Sequence, residues 1–214
     1  MDSTENERTT AAGYDNWAAS YDDQDPSTWL DEPFLLRHLN PFSGCRILDI
    51  GCGTGRYLRR LTTSSSGMIG VDLSRNMLAR ARQDLGAWTD IRLVQTSVGR
   101  LPFKPDSFDR IMSGLVIDHV ASPETWFCVL SSLLKKDGGA ILAAVHPDMQ
   151  RLTAWDIEIH NSQEDAIHIP GHIHEVDVLL SAARRAGFTV VAMEDLTADK
   201  RFSRAPCRMP SGSC

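Results

Sequence analysis

Paired cysteines, long apolar runs and clustered basic residues are all missing from this sequence. Its five cysteines, at positions 45, 52, 128, 207 and 214, are odd in number and include no CxxC pair. This usage favours free thiols in a reducing compartment over a disulfide framework. No apolar run approaches the roughly 18 residues of a membrane span, and Met1–Thr10 lacks the apolar core of a signal peptide. We therefore expect a cytoplasmic protein with no membrane partner.

The charge balance argues against a nucleic-acid partner. The 214 residues carry 22 Lys and Arg against 28 Asp and Glu, a formal net charge of −6. A nucleic-acid binder usually presents a basic stripe that neutralises phosphates. Here the densest basic pairs, Arg59-Arg60 and Arg184-Arg185, fall on predicted helices, where charged side chains ordinarily face solvent.

Apolar and β-branched runs alternate with helical patterns along most of the chain. Strands are predicted at 45–50, 68–71, 91–96, 108–113, 140–145 and 189–193, with helices between them. Such alternation predicts βαβ units, and right-handed crossovers favour a doubly wound, mainly parallel, Rossmann-like α/β sheet. The length and the lack of a linker predict a single domain over residues 11–198.

Both ends and one internal segment depart from this rhythm. Residues 1–10 are polar and charged, so we expect a disordered leader before a first helix over Ala11–Tyr21. The basic stretch 199–214 is expected to be an irregular tail. Between 146 and 175 the pattern loosens into two short apolar runs, which indicates a hairpin insertion that would form a substrate lid.

The stretch Ile47–Gly55 predicts a strand, a tight turn and the start of a helix. Gly51, Gly53 and Gly55 permit positive φ and let a ligand lie against the backbone. Such loops bind nucleotide cofactors of several kinds, and a tight βα turn that binds no ligand would have the same glycine pattern.

Two carboxylates narrow the choice of ligand. Asp49 stands just before the glycines, where its charge would repel a pyrophosphate and suits an amine. Asp72 ends the next strand, where a carboxylate can accept hydrogen bonds from both hydroxyls of a ribose. Together they favour an adenosine ligand that has an ammonium group and no phosphates, a description that S-adenosylmethionine fits.

The chain resembles the class I S-adenosylmethionine-dependent methyltransferases, especially the small ubiquinone- and menaquinone-biosynthesis type. The resemblance runs from Tyr14 to the neighbourhood of Phe188 and rests on motifs in the family's order. These are YDxWAxxYD at 14–22, the glycine loop at 47–55, VDLSxxML at 71–78, LPF at 101–103 with SFD at 107–109, and LLKxxGG at 133–139. Each motif alone is weak evidence for the family, whereas their occurrence together in this order is highly specific for it.

The resemblance implies a cofactor site around the glycine loop. In the family this loop and the acid matching Asp49 hold the amino-acid end of S-adenosylmethionine, and the acid matching Asp72 binds the ribose. Leu73 and Met77 would pack against adenine, and core packing would account equally well for Met77.

Other parts of the implied site are less usual. Ser97 stands where the family normally carries an acid that meets the adenine amino group. Its hydroxyl can accept the same hydrogen bond without charge assistance, and the Val98 backbone would supply further contact. In the family, the position that matches Ser113, after strand four, lies on the cofactor side. Tyr14 and Tyr21 match a helix that closes over the cofactor in the family.

The end of the chain departs from the family pattern. Relatives finish with a helix, a strand, a loop and a final antiparallel strand, whereas Pro206 and the polar tail fit a last strand poorly. We expect that strand to be short or missing, which would leave a sheet edge for another chain to cover, as in a homodimer.

The expected reaction is methyl transfer to an oxygen, nitrogen or sulfur atom of a small molecule. His119 and His146 follow strands four and five and are the candidate bases, since histidine titrates near neutrality. The histidines at 168, 172 and 174 lack ligands at familiar zinc spacing, so we expect a lid or surface segment and no metal. A non-methylating enzyme of the cyclase or decarboxylase type, and a non-catalytic partner protein, remain alternatives.

Overall fold

The computed structural model describes residues 3–24, 30–39, 43–61, 67–86, 90–152, 157–160 and 166–196. Five of its strands form one parallel sheet. They are β1 (Ile47–Ile50), β2 (Met68–Asp72), β3 (Ile91–Gln95), β4 (Phe108–Gly114) and β5 (Leu134–Ala143). Their order across the sheet is β3-β2-β1-β4-β5. The order reverses direction between β1 and β4, and ligands bind at such a switch point in open α/β sheets.

Helices cover both faces of this sheet. The helices of the described residues are α1 (Ser3–Trp17), α2 (Tyr21–Gln24), α3 (Glu32–Leu39), α4 (Arg56–Leu61), α5 (Arg75–Leu85), α6 (Pro123–Leu133), α7 (Pro147–Leu152) and α8 (Val176–Arg185). Apolar side chains of α3, α4 and α5 join the core on one face, and those of α6 and α8 join it on the other. The predicted doubly wound α/β fold is therefore confirmed.

Local sequence explains where the longer helices begin. Ser74 has an extended backbone, and its Oγ accepts a hydrogen bond from the Met77 backbone nitrogen at 3.0 Å, which makes it the predicted N-cap of α5. Ser122 does the same for Thr125 at 3.2 Å, and Pro123 occupies the first turn of α6.

A two-stranded antiparallel hairpin stands apart from the main sheet. Its strands are β6 (Ile157–His160) and β7 (Ala166–Ile169), which confirms the hairpin predicted between 146 and 175. Helix α1 lies against it, and a Cβ atom on Gly13 would come within 2.5 Å of the Ile169 side chain. Glycine therefore permits the close approach of the helix to the hairpin.

The prediction of a disordered leader over 1–10 is wrong for residues 3–10, which form the first half of α1. The polar composition gave no apolar periodicity, and tertiary contacts stabilise the helix instead. The Asp15 carboxylate accepts hydrogen bonds from Ser74 Oγ at 2.6 Å and from the Asn76 backbone nitrogen at 2.9 Å, which ties α1 to α5.

The strand predicted at 189–193 is also wrong, because residues 188–196 form no strand. Phe188 packs on the same core face as α6, whereas Glu194 pairs with Arg37 of α3 on the opposite face. The segment thus passes from one face to the other, with Val191 91% exposed. The predicted tail at 199–214, including Pro206, lies outside the described residues. Among the described helices, none is both long and apolar enough to cross a bilayer.

Candidate cofactor and acceptor site

A cavity of about 410 Å³ opens at the carboxyl ends of β1, β2, β3 and β4. Most site residues predicted from the sequence contribute to its wall. They are Tyr14, Tyr21, Gly51, Gly53, Asp72, Leu73, Met77, Ser97, Val98 and His119. Residues far apart in sequence meet here because parallel strands end at one edge of the sheet.

The glycine loop follows β1 and is held to β2. The backbone nitrogens of Gly51 and Cys52 both donate to the Val71 carbonyl, at 2.8 and 2.9 Å. Gly51 has φ 69°, and a Cβ there would lie 2.2 Å from Val116 Cγ2. Gly53 has φ 53°, and its missing Cβ would meet no atom within 4 Å. The open space above Gly53 can therefore receive a ligand directly on the backbone.

Asp72 ends β2 at the wall of the cavity. Its Oδ2 accepts a hydrogen bond from Gly53 N and its Oδ1 accepts one from Ser74 N, both at 2.8 Å. Burial raises the pKa of Asp72 to about 6, although these hydrogen bonds act in the opposite direction. Each oxygen has further lone-pair capacity, so the carboxylate can accept two ribose hydroxyls.

Asp49 lies in β1 behind the glycine loop and is fully buried. Within the described part of the chain neither of its carboxylate oxygens has a hydrogen-bond partner. Burial raises its pKa well above the usual value, and the positive charge of Arg56 only partly offsets this. A buried carboxylate without a partner is costly, and a cationic ligand nearby would reduce that cost.

Ser97 follows β3 and is a second buried polar group without a partner. No atom of the described residues hydrogen-bonds its Oγ. Val98 and Leu73 are partly buried at the same cavity, and Met77 is almost fully buried, so it serves the core as well as the cavity wall. A hydroxyl beside apolar side chains suits the amino edge of an adenine ring.

His119 is held between two partners in a short 3₁₀ turn, Ile117–His119, after β4. Its Nδ1 lies 3.0 Å from the Pro170 carbonyl oxygen, which can only accept, so Nδ1 carries the proton. Its Nε2 therefore accepts from the Tyr14 hydroxyl at 2.8 Å. Burial lowers the pKa of His119, which keeps the imidazole neutral and able to accept a proton.

Comparison with known proteins agrees with this geometry. Residues 48–142 match a family described as a methyltransferase domain. The chain is 34% identical to a malonyl-[acyl-carrier protein] O-methyltransferase of Erwinia pyrifoliae, over 57% of this chain and 45% of that protein. It is 26% identical to a demethylmenaquinone methyltransferase of Clavibacter sepedonicus, over 76% and 73% of the two chains. A crystal structure of an S-adenosylmethionine-dependent methyltransferase from Mesorhizobium loti superposes with a TM-score of 0.62, at 26% identity over 74% and 81% of the chains.

Over the residues that form the sheet and the cavity, the chain is therefore similar to S-adenosylmethionine-dependent methyltransferases. It spans about half the length of several curated relatives that it matches. The buried groups left without partners fit the chemistry of S-adenosylmethionine. Asp49 can balance its ammonium group and Ser97 can meet its adenine amino group, while Gly53 leaves room between them.

Four predicted site residues stand outside the cavity wall. Gly55 lets the loop pack on α5, since a Cβ there would lie 3.3 Å from Ala81 Cβ. Ser113 Oγ donates to the Ile50 carbonyl at 2.9 Å and so ties β4 to β1. Asp49 is sealed beneath the loop. His146 is exposed at the start of α7, where its Nδ1 accepts from the Asp148 backbone nitrogen at 3.2 Å.

Sequence reasoning missed several residues that line this cavity. Asn6, Glu7 and Thr10 of α1 line it, and they lay in the predicted leader. Trp126 of α6 lines it too, and the sequence analysis did not single it out. His172 belongs to the histidine group noticed in the sequence, and it reaches the cavity while no group of three metal-ligating side chains forms among the described residues.

Proposed function

We propose that the chain methylates a hydroxyl oxygen of a small molecule, with Tyr14 and His119 removing the acceptor proton. The observation that carries this proposal is the 2.8 Å contact between the Tyr14 hydroxyl and His119 Nε2 at the cavity wall. An oxygen acceptor needs its proton removed, whereas an amine or a thiolate needs less help. The names of relatives described as ubiquinone biosynthesis O-methyltransferases are consistent with an oxygen acceptor.

When bound, S-adenosylmethionine supplies a methyl group on a positively charged sulfur, which is an excellent leaving group. The protein's contribution is then to align the acceptor and to move one proton. Tyr14 donates to His119 Nε2, so a proton leaving an acceptor hydroxyl can pass to Tyr14 Oη as the tyrosine proton passes to Nε2. The lowered pKa of His119 leaves that nitrogen unprotonated at neutral pH.

Apolar residues surround this proton-transfer pair. Val116, Val120 and Pro170 line the same cavity as Tyr14 and His119. They would exclude water and favour an uncharged acceptor, because an unpaired charge in such surroundings is costly. The acceptor class we propose is therefore an uncharged molecule that bears a hydroxyl group, aromatic or aliphatic.

The proposal is tested by incubating the protein with S-adenosylmethionine and a panel of hydroxylated acceptors, and measuring S-adenosylhomocysteine and methylated product. Product formation should require an acceptor, and His119→Ala or Tyr14→Phe should lower kcat by roughly 10²–10⁴-fold. His146→Ala is the matched control, because His146 lies outside the cavity. Equal rates in His119→Ala and the native protein would refute the base assignment.

The same assay separates the remaining alternatives. A cyclase or decarboxylase would convert its substrate without forming S-adenosylhomocysteine, and a scaffold with a decayed site would not bind S-adenosylhomocysteine in a calorimetric titration.

We also retain the homodimer as a proposal, because no described strand pairs with the outer edge of β5. A monomeric mass by light scattering would exclude it.

A further inference from the structure

Three consecutive residues after β4, Asp118 to Val120, form hydrogen bonds with residues 170–174, the segment that follows the hairpin. The Asp118 carbonyl accepts from His172 N at 2.6 Å, His119 Nδ1 donates to the Pro170 carbonyl at 3.0 Å, and the Val120 carbonyl accepts from His174 Nε2 at 2.8 Å. The carbonyl that fixes the proton on His119 Nδ1 therefore belongs to a segment tied down on both sides of His119.

The Asp118 side chain anchors the same turn from beneath. It is buried, its Oδ1 accepts from Gln150 Nε2 of α7 at 3.0 Å, and its Oδ2 accepts from Val145 N at 3.2 Å. Both partners are donors, so the ionised carboxylate is the form that suits them. The side chain thereby links the turn to the end of β5 and to α7.

We propose that Asp118 is a positioning residue for His119. Its carboxylate fixes the turn, and its carbonyl fixes the segment that presents Pro170 to Nδ1. As a result the proton stays on Nδ1, and Nε2 stays free to accept a proton from Tyr14. This inference rests on the proposed function, in which His119 is the final proton acceptor.

The consequence can be measured without knowing the acceptor. Asp118→Asn keeps the shape of the side chain and turns one acceptor oxygen into an NH₂ group that faces a donor. With histidine labelled by ¹⁵N, long-range ¹H–¹⁵N spectra should show native His119 as the Nδ1–H form, with its pKa below the ordinary 6.5. In Asp118→Asn we expect a mixture of the two neutral forms and a pKa that moves toward 6.5.

Matched controls separate positioning from general damage. Asp109→Asn makes the same chemical change near the amino end of β4, away from the cavity, where the carboxylate accepts from Arg46 N and Lys135 Nζ. It should leave the His119 signal unchanged. Gln150→Met removes one partner of Asp118 and should shift His119 in the same direction by a smaller amount, which keeps a test available if Asp118→Asn does not fold. An unchanged His119 signal in a folded Asp118→Asn or Gln150→Met protein would overturn the proposal.

Kinetics with an acceptor then distinguish this proposal from the proposed function. Asp118→Asn should lower kcat about tenfold to hundredfold, with the KM for S-adenosylmethionine within twofold of the native value. In a His119→Ala background it should have no further effect, because residues that act as one unit are not additive. If Asp118→Asn lowered kcat by the same factor in the His119→Ala background as in the native protein, the positioning role would be contradicted. A native protein that shows the Nδ1–H form and binds S-adenosylhomocysteine but methylates nothing would refute only the proposed function.

Discussion

Oδ2 of Asp72 accepts a hydrogen bond from the backbone nitrogen of Gly53 at 2.8 Å. The carboxylate that we expect at the ribose and the glycine that we expect beneath the amino-acid end of the cofactor are therefore directly connected. The other carboxylate oxygen of Asp72, Oδ1, accepts a hydrogen bond from the backbone nitrogen of Ser74, the residue that caps α5. A change in the charge of Asp72 should consequently affect both ligand binding and folding.

The first prediction concerns the pH dependence of cofactor binding. Because the pKa of Asp72 is raised to about 6, and a cationic ligand favours the ionised carboxylate, affinity should fall as pH drops through that value. We expect a constant Kd for S-adenosylmethionine above pH 7 and a loss of roughly tenfold per unit below the pKa. Calorimetry from pH 5 to 8 measures this. Asp72→Asn should bind weakly with a flatter profile, and an equally steep profile in that variant would assign the effect elsewhere.

In the absence of ligand, the pH dependence of folding stability that Asp72 causes runs opposite to the pH dependence of binding. A carboxylate whose pKa is raised from 3.8 in the folded state makes folding less favourable when it ionises, so stability should fall as pH rises from about 4 to about 6. Asp118, also raised to about 6, acts in the same direction. Urea unfolding at pH 5 and pH 7 should show a smaller difference in Asp72→Asn than in the native protein. An unchanged difference would mean that Asp72 does not titrate in this window.

Asp49 offers a test in which two ligands serve as each other's control. We expect Asp49→Asn to weaken binding of S-adenosylhomocysteine by at least tenfold, because the ligand's ammonium group loses its counter-charge. Binding of 5′-methylthioadenosine, which has the same nucleoside and no amino-acid group, should change by less than twofold. Calorimetry with both ligands on both proteins gives the answer. A parallel loss for the two ligands would show that the substitution disturbs the loop as a whole.

The sequence predicted the central sheet well because its signals are local. A buried strand, positive-φ glycines and a capping Ser74 each require particular residues at short spacing, and β1, the loop and α5 formed as expected. The first half of α1, residues 3–10, was missed because it extends a helix whose anchoring contacts are distant in sequence, between Gly13 and Ile169 and between Asp15 and Ser74. The cavity residues Asn6 and Glu7 were missed with it.

The strand expected at 189–193 failed for a related reason. A run of β-branched residues forms a strand only where it can pair with a neighbouring strand, and whether such a neighbour exists depends on the tertiary fold. The contact of Tyr14 with His119 likewise depends on where α1 lies, so both residues could be predicted separately while their hydrogen bond could not.

Gly53 provides a prediction about the space that the loop leaves open. Gly53→Ala and Gly86→Ala both place a side chain at positive φ with no atom within 4 Å of the new Cβ. Each should therefore destabilise the fold by about 1 kcal/mol. Only Gly53→Ala should also weaken S-adenosylhomocysteine binding, by tenfold or more, because the new methyl group would occupy the open space above residue 53 where we expect the ligand. Denaturant unfolding and calorimetry on the pair measure the two effects, and native-like binding by Gly53→Ala would place the ligand elsewhere.

Ser97 stands where the family resemblance implies an acid, and its substitution tests how adenine is recognised. Removing the hydroxyl in Ser97→Ala should weaken S-adenosylhomocysteine binding about fivefold, the value of one neutral hydrogen bond. Ser97→Asp should instead favour the amino group through a charge-assisted bond. The informative quantity is the ratio of Kd for S-inosylhomocysteine, which has a keto oxygen in place of the amine, to Kd for S-adenosylhomocysteine.

Any general damage from a substitution at Ser97 cancels in that ratio, because both ligands are measured on one protein. A hydroxyl can donate to the keto oxygen as well as accept from the amine, so native discrimination should be modest. A carboxylate can only accept, so Ser97→Asp should raise the ratio at least tenfold, and Ser97→Ala should bring it close to one. If all three proteins gave the same ratio, Ser97 would not face the adenine edge. The unpartnered hydroxyl would then need another explanation, and Val98 would become the first residue to examine.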